Sequence, residues 1–125
     1  MTSTLKNDIG LALLRILPSA FLLTHGIPKF QKMIGGDFEF GDPIGIGPTP
    51  TLFLAVIAEF ICPILLIVGF KTRWVAILPA ITMLVAAAIV HSADPFGTKE
   101  KALLFLVTFV AMILLGPGKY SMDRK

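Results

Sequence analysis

Polar residues interrupt this chain in a regular rhythm. Apolar runs cover Ile9 to Ile27, Leu52 to Phe70, Trp74 to His91 and Ala102 to Gly116, each close to the ~17 to 20 residues that a membrane-spanning helix needs. The pattern predicts an all-α fold, a four-helix transmembrane bundle with a long Gly/Pro-rich first loop. That loop, 28–51, carries Gly35, Gly36, Gly41, Gly45 and Gly47 with Pro43, Pro48 and Pro50 and cannot be one continuous helix. Its apolar side chains, Phe30, Met33, Ile34, Phe38, Phe40, Ile44 and Ile46, are too many to be left in water, so the loop is expected to lie back on the bundle or among lipid headgroups. The first run lacks a small-residue cleavage site and is as apolar as its successors, so it reads as a helix of the mature protein and not as a signal peptide. All 125 residues form a single membrane domain on this reading.

Composition supports a lipid solvent: 55% of the residues are hydrophobic, 15% are charged, and the mean hydropathy is +0.85. The net charge of +3 is spread over helix ends, with no basic stripe interleaved with aromatics, which excludes a nucleic-acid partner and leaves the bilayer. The lone Cys62 permits no internal disulfide or dithiol pair and is expected to be a small buried hydrophobe. Six basic residues, Lys6, Lys71, Arg73, Lys119, Arg124 and Lys125, fall with the termini and the second turn; four, Lys29, Lys32, Lys99 and Lys101, fall on the opposite side with five acids. By the positive-inside rule both termini are expected to be cytoplasmic, in a multi-pass protein of the cell membrane.

Charge inside the apolar runs is the chemical signal. A charged residue at mid-bilayer costs about 2.5 to 3.5 kcal/mol on insertion scales, so Arg15 and Glu59 require compensation. On helix one, Arg15, His25 and Lys29 fall within an arc of roughly 80°, although Pro28 disfavours helical geometry at Ile27 and places Lys29 near the helix end. On helix three, Ala76, Ala80, Ala87 and His91 form a stripe of small residues that turns His91 toward a neighbouring helix. The candidate ligand-binding set is therefore Arg15, His25, Lys29, Glu59 and His91, with no metal. A structural account runs beside it: Arg15 and Glu59 as a buried ion pair, the histidines as helix caps, Lys29 as a snorkelling lysine.

Several of these residues stand in a recognisable order. Arg15, "THGIPK" (Thr24 to Lys29), Glu59, "GFKTR" (Gly69 to Arg73), His91, "EKALL" (Glu100 to Leu104) and "GPGKYSMD" (Gly116 to Asp123) together resemble the DoxX family of small membrane proteins over nearly the whole chain. The resemblance implies a four-helix bundle linked to membrane oxidoreductases, including thiosulfate:quinone oxidoreductase systems and oxidative-stress complexes, without fixing a reaction. One expectation is then a quinone-linked oxidoreductase subunit, with Arg15, His25 and His91 meeting the quinone head and Glu59 carrying protons. The chain has no dinucleotide fingerprint or cluster-binding cysteine set, so the electrons would come from a partner subunit; self-association is also compatible with so short a chain. The alternative is a non-catalytic scaffold or small-molecule-binding protein whose polar cluster is structural.

Overall fold

The computed structural model describes residues 2–123 and shows four helices: α1 (Ser3–Ile34), α2 (Pro48–Val68), α3 (Thr72–Val90) and α4 (Phe96–Leu115). They form an antiparallel bundle. The start of α1 and the end of α4 share one pole with the α2–α3 turn, and the long loop and the α3–α4 turn occupy the other. Helices α1 to α3 are long and apolar enough to cross a membrane. The first turns of α4 carry Lys99, Glu100 and Lys101, so its apolar stretch begins only at Ala102.

The core contains Leu22, Leu66, Ala76, Ala80, Met83, Phe109 and Met112, drawn from all four helices. The alanine stripe of α3 lies inside, with Ala76, Ala80 and Ala87 buried. Small side chains there let α3 and α4 approach closely. Leu13, Leu17, Phe21, Leu84, Leu104, Val107 and Leu114 remain exposed around the girdle, as acyl chains require.

Helix α1 departs most from expectation. It starts at Ser3, where the Thr2 hydroxyl accepts from Leu5 N at 3.1 Å, and it runs through both Pro18 and Pro28 to Ile34. Pro28 removes one backbone hydrogen bond but does not stop the helix, because contacts with α2 at Gly26 before it and at Lys29 and Phe30 after it hold the helical geometry. The loop shrinks accordingly to residues 35–47. Asp42 organises it: one carboxylate oxygen accepts from Ile46 N at 2.9 Å and Thr51 Oγ1 at 3.3 Å, the other from Gly47 N at 2.9 Å. Phe38 packs on Phe53, with ring centroids 6.1 Å apart. At the root of the loop, Asp37 accepts from Lys32 at 2.7 Å and from Glu39 N at 3.1 Å, which holds its carboxyl below the usual range.

Two π-helical turns interrupt otherwise α-helical segments, Ile57–Ile61 in α2 and Ala86–Val90 in α3. The first has a readable cause. Pro63 has no N–H for the carbonyl of Glu59, and its ring would clash with that carbonyl in a regular helix. Widening the turn relieves the clash, and Cys62 N bonds instead to Ile57 O.

A candidate ligand site at the loop pole

Glu59 lies on the π turn of α2, 5% exposed. Its carboxylate accepts from Lys29 Nζ through both oxygens at 2.6 Å. The Lys29 side chain is 30% exposed and also lies over the Phe40 ring, 5.9 Å from its centroid. Close approach of the two helices makes this pair. A Cβ built on Gly26 would overlap the Glu59 carbonyl and come within 2.8 Å of Phe60 N, so only the hydrogen-only face of a glycine fits against the backbone of the π turn. One turn beyond Gly26, Phe30 stacks on Phe60 at 4.2 Å, nearly parallel.

Two cavities meet at this ion pair. The apolar one, about 320 Å³, lies among α2, α3 and the loop, lined by Phe40, Ile44, Leu54, Ile81 and Val85. The polar one, about 250 Å³, lies among α1, α3 and α4, lined by His25, Thr98, Lys101 and Phe105. Lys29, Glu59, Thr82, Ala86 and His91 line both, so the shared wall bears an ammonium, a carboxylate, a hydroxyl and an imidazole. His25 meets Phe105 edge to face at 6.4 Å. His91 follows the second π turn, its backbone N bonded to Ala86 O at 2.9 Å, and its Nδ1 lies 2.8 Å from Asp94 Oδ2.

The five residues singled out by sequence thus divide. His25, Lys29, Glu59 and His91 converge at the loop pole. Arg15 does not join them: at 1.5 Å per residue it lies about 21 Å along α1 from Lys29. An Arg15–Glu59 ion pair is therefore ruled out, since Lys29 is the partner of Glu59 and Arg15 donates instead to Pro117 O and, at 2.5 Å, to Tyr120 O. Lys29, read as a snorkelling lysine at a helix end, is an ion-pair partner within the helix. Phe30, read as a loop residue, lies inside α1 and stacks on Phe60, and Phe40 of the loop lines the apolar chamber. Among the described residues no three His, Cys, Asp or Glu side chains are grouped to hold a metal ion. Thr82, Asp94 and Lys101 belong to the site without having been singled out; the i, i+3 spacing of His91 and Asp94 across a turn was the available signal.

Arg15 organises the opposite pole. It is 1% exposed and lines an open cleft with Tyr120 and Ser121. The chain after α4 folds back over the α2–α3 turn: Met122 N donates to Val68 O, Asp123 N donates to Gly69 O, and the Asp123 carboxylate accepts from Lys71 N and Thr72 N at 2.9 Å each. Asp123 thereby caps the start of α3 and adds electrostatic attraction for Arg15. Gly69, with φ of 77°, has Ser121 packed where a side chain would stand. The sequence element "GPGKYSMD" is a clasp; the basic pair Arg124 and Lys125, counted toward a cytoplasmic C-terminus, lies outside the described residues.

No solved structure matches the chain. It is similar to "Putative oxidoreductase CatD" of Bacillus subtilis, 32% identical over 93% of this chain and 86% of that protein. It is also similar to inner membrane protein YqjF of Escherichia coli, 29% identical over 94% of this chain and 92% of that protein, and to inner membrane protein YphA of the same organism, 32% identical over 94% and 95%. The DoxX family profile matches residues 10–92, the span that contains Arg15, "THGIPK", Glu59 and His91. The chain is an integral membrane protein and belongs to the DoxX family.

Proposed function

We propose that this protein binds an amphipathic molecule of the quinone class at the loop pole and serves as the small membrane subunit of a quinone-linked oxidoreductase or oxidative-stress system. The observation that carries the reading is the shared wall. An apolar chamber and a polar chamber meet at Lys29, Glu59, Thr82 and His91, so one ligand could lay its tail among Leu54, Ile81 and Val85 and present its head to the charged wall. Glu59 and His91 are the proton-exchanging groups of that wall, and His25 and Lys101 connect it to the surface. Electrons come from a partner subunit with its own redox cofactor. The name borne by the Bacillus subtilis relative agrees with this class of reaction. With both termini cytoplasmic, as the basic residues favour, the site lies in the outer leaflet.

Equilibrium dialysis of the purified protein against a short-tailed benzoquinone tests the reading. Saturable binding should weaken about tenfold or more in His25→Ala and in His91→Ala while both variants keep the wild-type melting temperature. No binding, or binding undiminished in both variants, contradicts it.

A second reading has its own support. Arg15 is engaged by the chain's own carbonyls, as a helix-registering scaffold requires, and the Lys29–Glu59 pair could be structural in the same way. On that reading the two chambers hold lipid, and the same dialysis returns no saturable component.

A further inference from the structure

His91 and Asp94 close a four-residue turn twice, once through the backbone, where Asp94 N donates to His91 O at 3.0 Å, and once through the side chains at 2.8 Å. The turn is tethered further: Ser92 Oγ donates to Ile89 O at 3.1 Å and Lys99 Nζ donates to Ser92 O at 3.2 Å. The Nδ1 edge of the ring is therefore committed to a carboxylate, which can only accept. In a neutral imidazole that fixes the proton on Nδ1 and leaves Nε2 as an acceptor.

From this we propose that Asp94 is a positioning residue that sets the hydrogen-bond polarity of the site, making His91 Nε2 an acceptor for a ligand hydroxyl, so that the preferred occupant is the hydroxyl-bearing quinol form. The inference rests on the proposed quinone-class site and adds the redox state of the ligand. The rest of the wall agrees with it. Lys29 gives two of its three N–H donors to the oxygens of Glu59, and the groups that face His91 across the polar chamber are His25 on α1 and Lys101 on α4, with Thr82 about two turns earlier on α3, its hydroxyl donated to Leu78 O. No donor of the wall is needed at the position of Nε2 for a quinol, whereas a quinone carbonyl there would meet a lone pair. When the partner subunit's two electrons reduce the quinone, one proton reaches its oxygen from the His91 imidazolium, which Asp94 stabilises, and the second enters from solvent through the polar chamber; the neutral Nε2 left behind accepts from the new quinol hydroxyl.

The test compares the same short-tailed benzoquinone with its quinol, kept anaerobic, on wild type, Asp94→Asn and Asp94→Glu. Wild type should prefer the quinol about tenfold, the scale of one hydrogen bond made against one left unmade. An asparagine can donate its amide to Nδ1 and move the ring proton to Nε2, so Asp94→Asn should lose or reverse that preference, and Asp94→Glu should restore part of it. A role of Asp94 in holding the turn alone would weaken both ligands equally. The chain has two histidines, so His25→Ala leaves one imidazole, and its ¹⁵N shifts at alkaline pH report the tautomer directly. A proton on Nδ1 that moves to Nε2 in Asp94→Asn supports the inference. Equal binding of quinol and quinone by wild type, or a tautomer unchanged by Asp94→Asn, overturns it and leaves the quinone-class site standing; absence of binding by both ligands removes the site itself.

Discussion

Glu59 carries its charge in the middle of an apolar helix, and the surroundings that make this tolerable are local and specific. Lys29 neutralises it at 2.6 Å, and Gly26 lets the two backbones close enough for that contact. Removing one partner leaves the other buried and uncompensated, at a cost of about 3–5 kcal/mol, so Lys29→Met and Glu59→Leu should each lower the melting temperature in detergent. The double variant should recover part of the loss, with an interaction term of roughly 0.5–3 kcal/mol, and the Arg15→Leu, Glu59→Leu pair should be additive within about 0.5 kcal/mol. The reverse pattern would mean that the ion pair is drawn between the wrong residues. Gly26→Ala drives a methyl into backbone that cannot move aside, so it should cost about 1–3 kcal/mol, while Gly10→Ala, with open space around it, should be neutral or gain up to ~1 kcal/mol from helix propensity. The sequence made Arg15, His25, Lys29, Glu59 and His91 visible as costly or polar residues in apolar runs. It did not make the pairing visible, because a helical wheel gives angle without depth, and Arg15 and Lys29 share an arc while lying at opposite poles.

At the scale of the elements, three prolines have three outcomes. Pro48 opens α2, where its missing N–H costs nothing; Pro28 is carried inside α1 by tertiary contacts; Pro63 widens α2 into the π turn that presents Glu59. The sequence reading left both Pro28 and Pro48 in the loop, which is why the expected loop of 28–51 is in fact 35–47. The C-terminal clasp shows the same limit. The element "GPGKYSMD" was legible as a motif, yet the service of Pro117 to Arg15 depends on the bundle bringing residues 15 and 117 together. Asp123→Asn should weaken the cap on α3 by about 1 kcal/mol. The clasp should then open roughly fivefold more often, and trypsin should cleave after the exposed Lys119 faster in proportion while the bundle stays folded. An unchanged cleavage rate would show that Asp123 contributes nothing to holding the segment.

Across the whole molecule the two poles divide the work. One is held together by Arg15, Gly69 and Asp123; the other holds paired chambers under a loop pinned by Asp42. The bundle itself was legible from four apolar runs, and the alanine stripe correctly marked the packed face of α3. The chambers were not, since their lining combines α1, α2, α3, α4 and the loop, and no single stretch of sequence carries their shape. The central claim is that an amphipathic molecule occupies the loop pole across the Lys29–Glu59 wall. A photoreactive quinone analogue with the label on its tail, bound to the protein in nanodiscs and mapped by peptide mass spectrometry, tests it most directly. The account predicts crosslinks on Ile44, Leu54, Ile81 and Val85, competed by unlabelled quinone; labelling confined to the outer girdle at Leu13, Leu17 and Leu114, or to the Arg15 cleft, would contradict it.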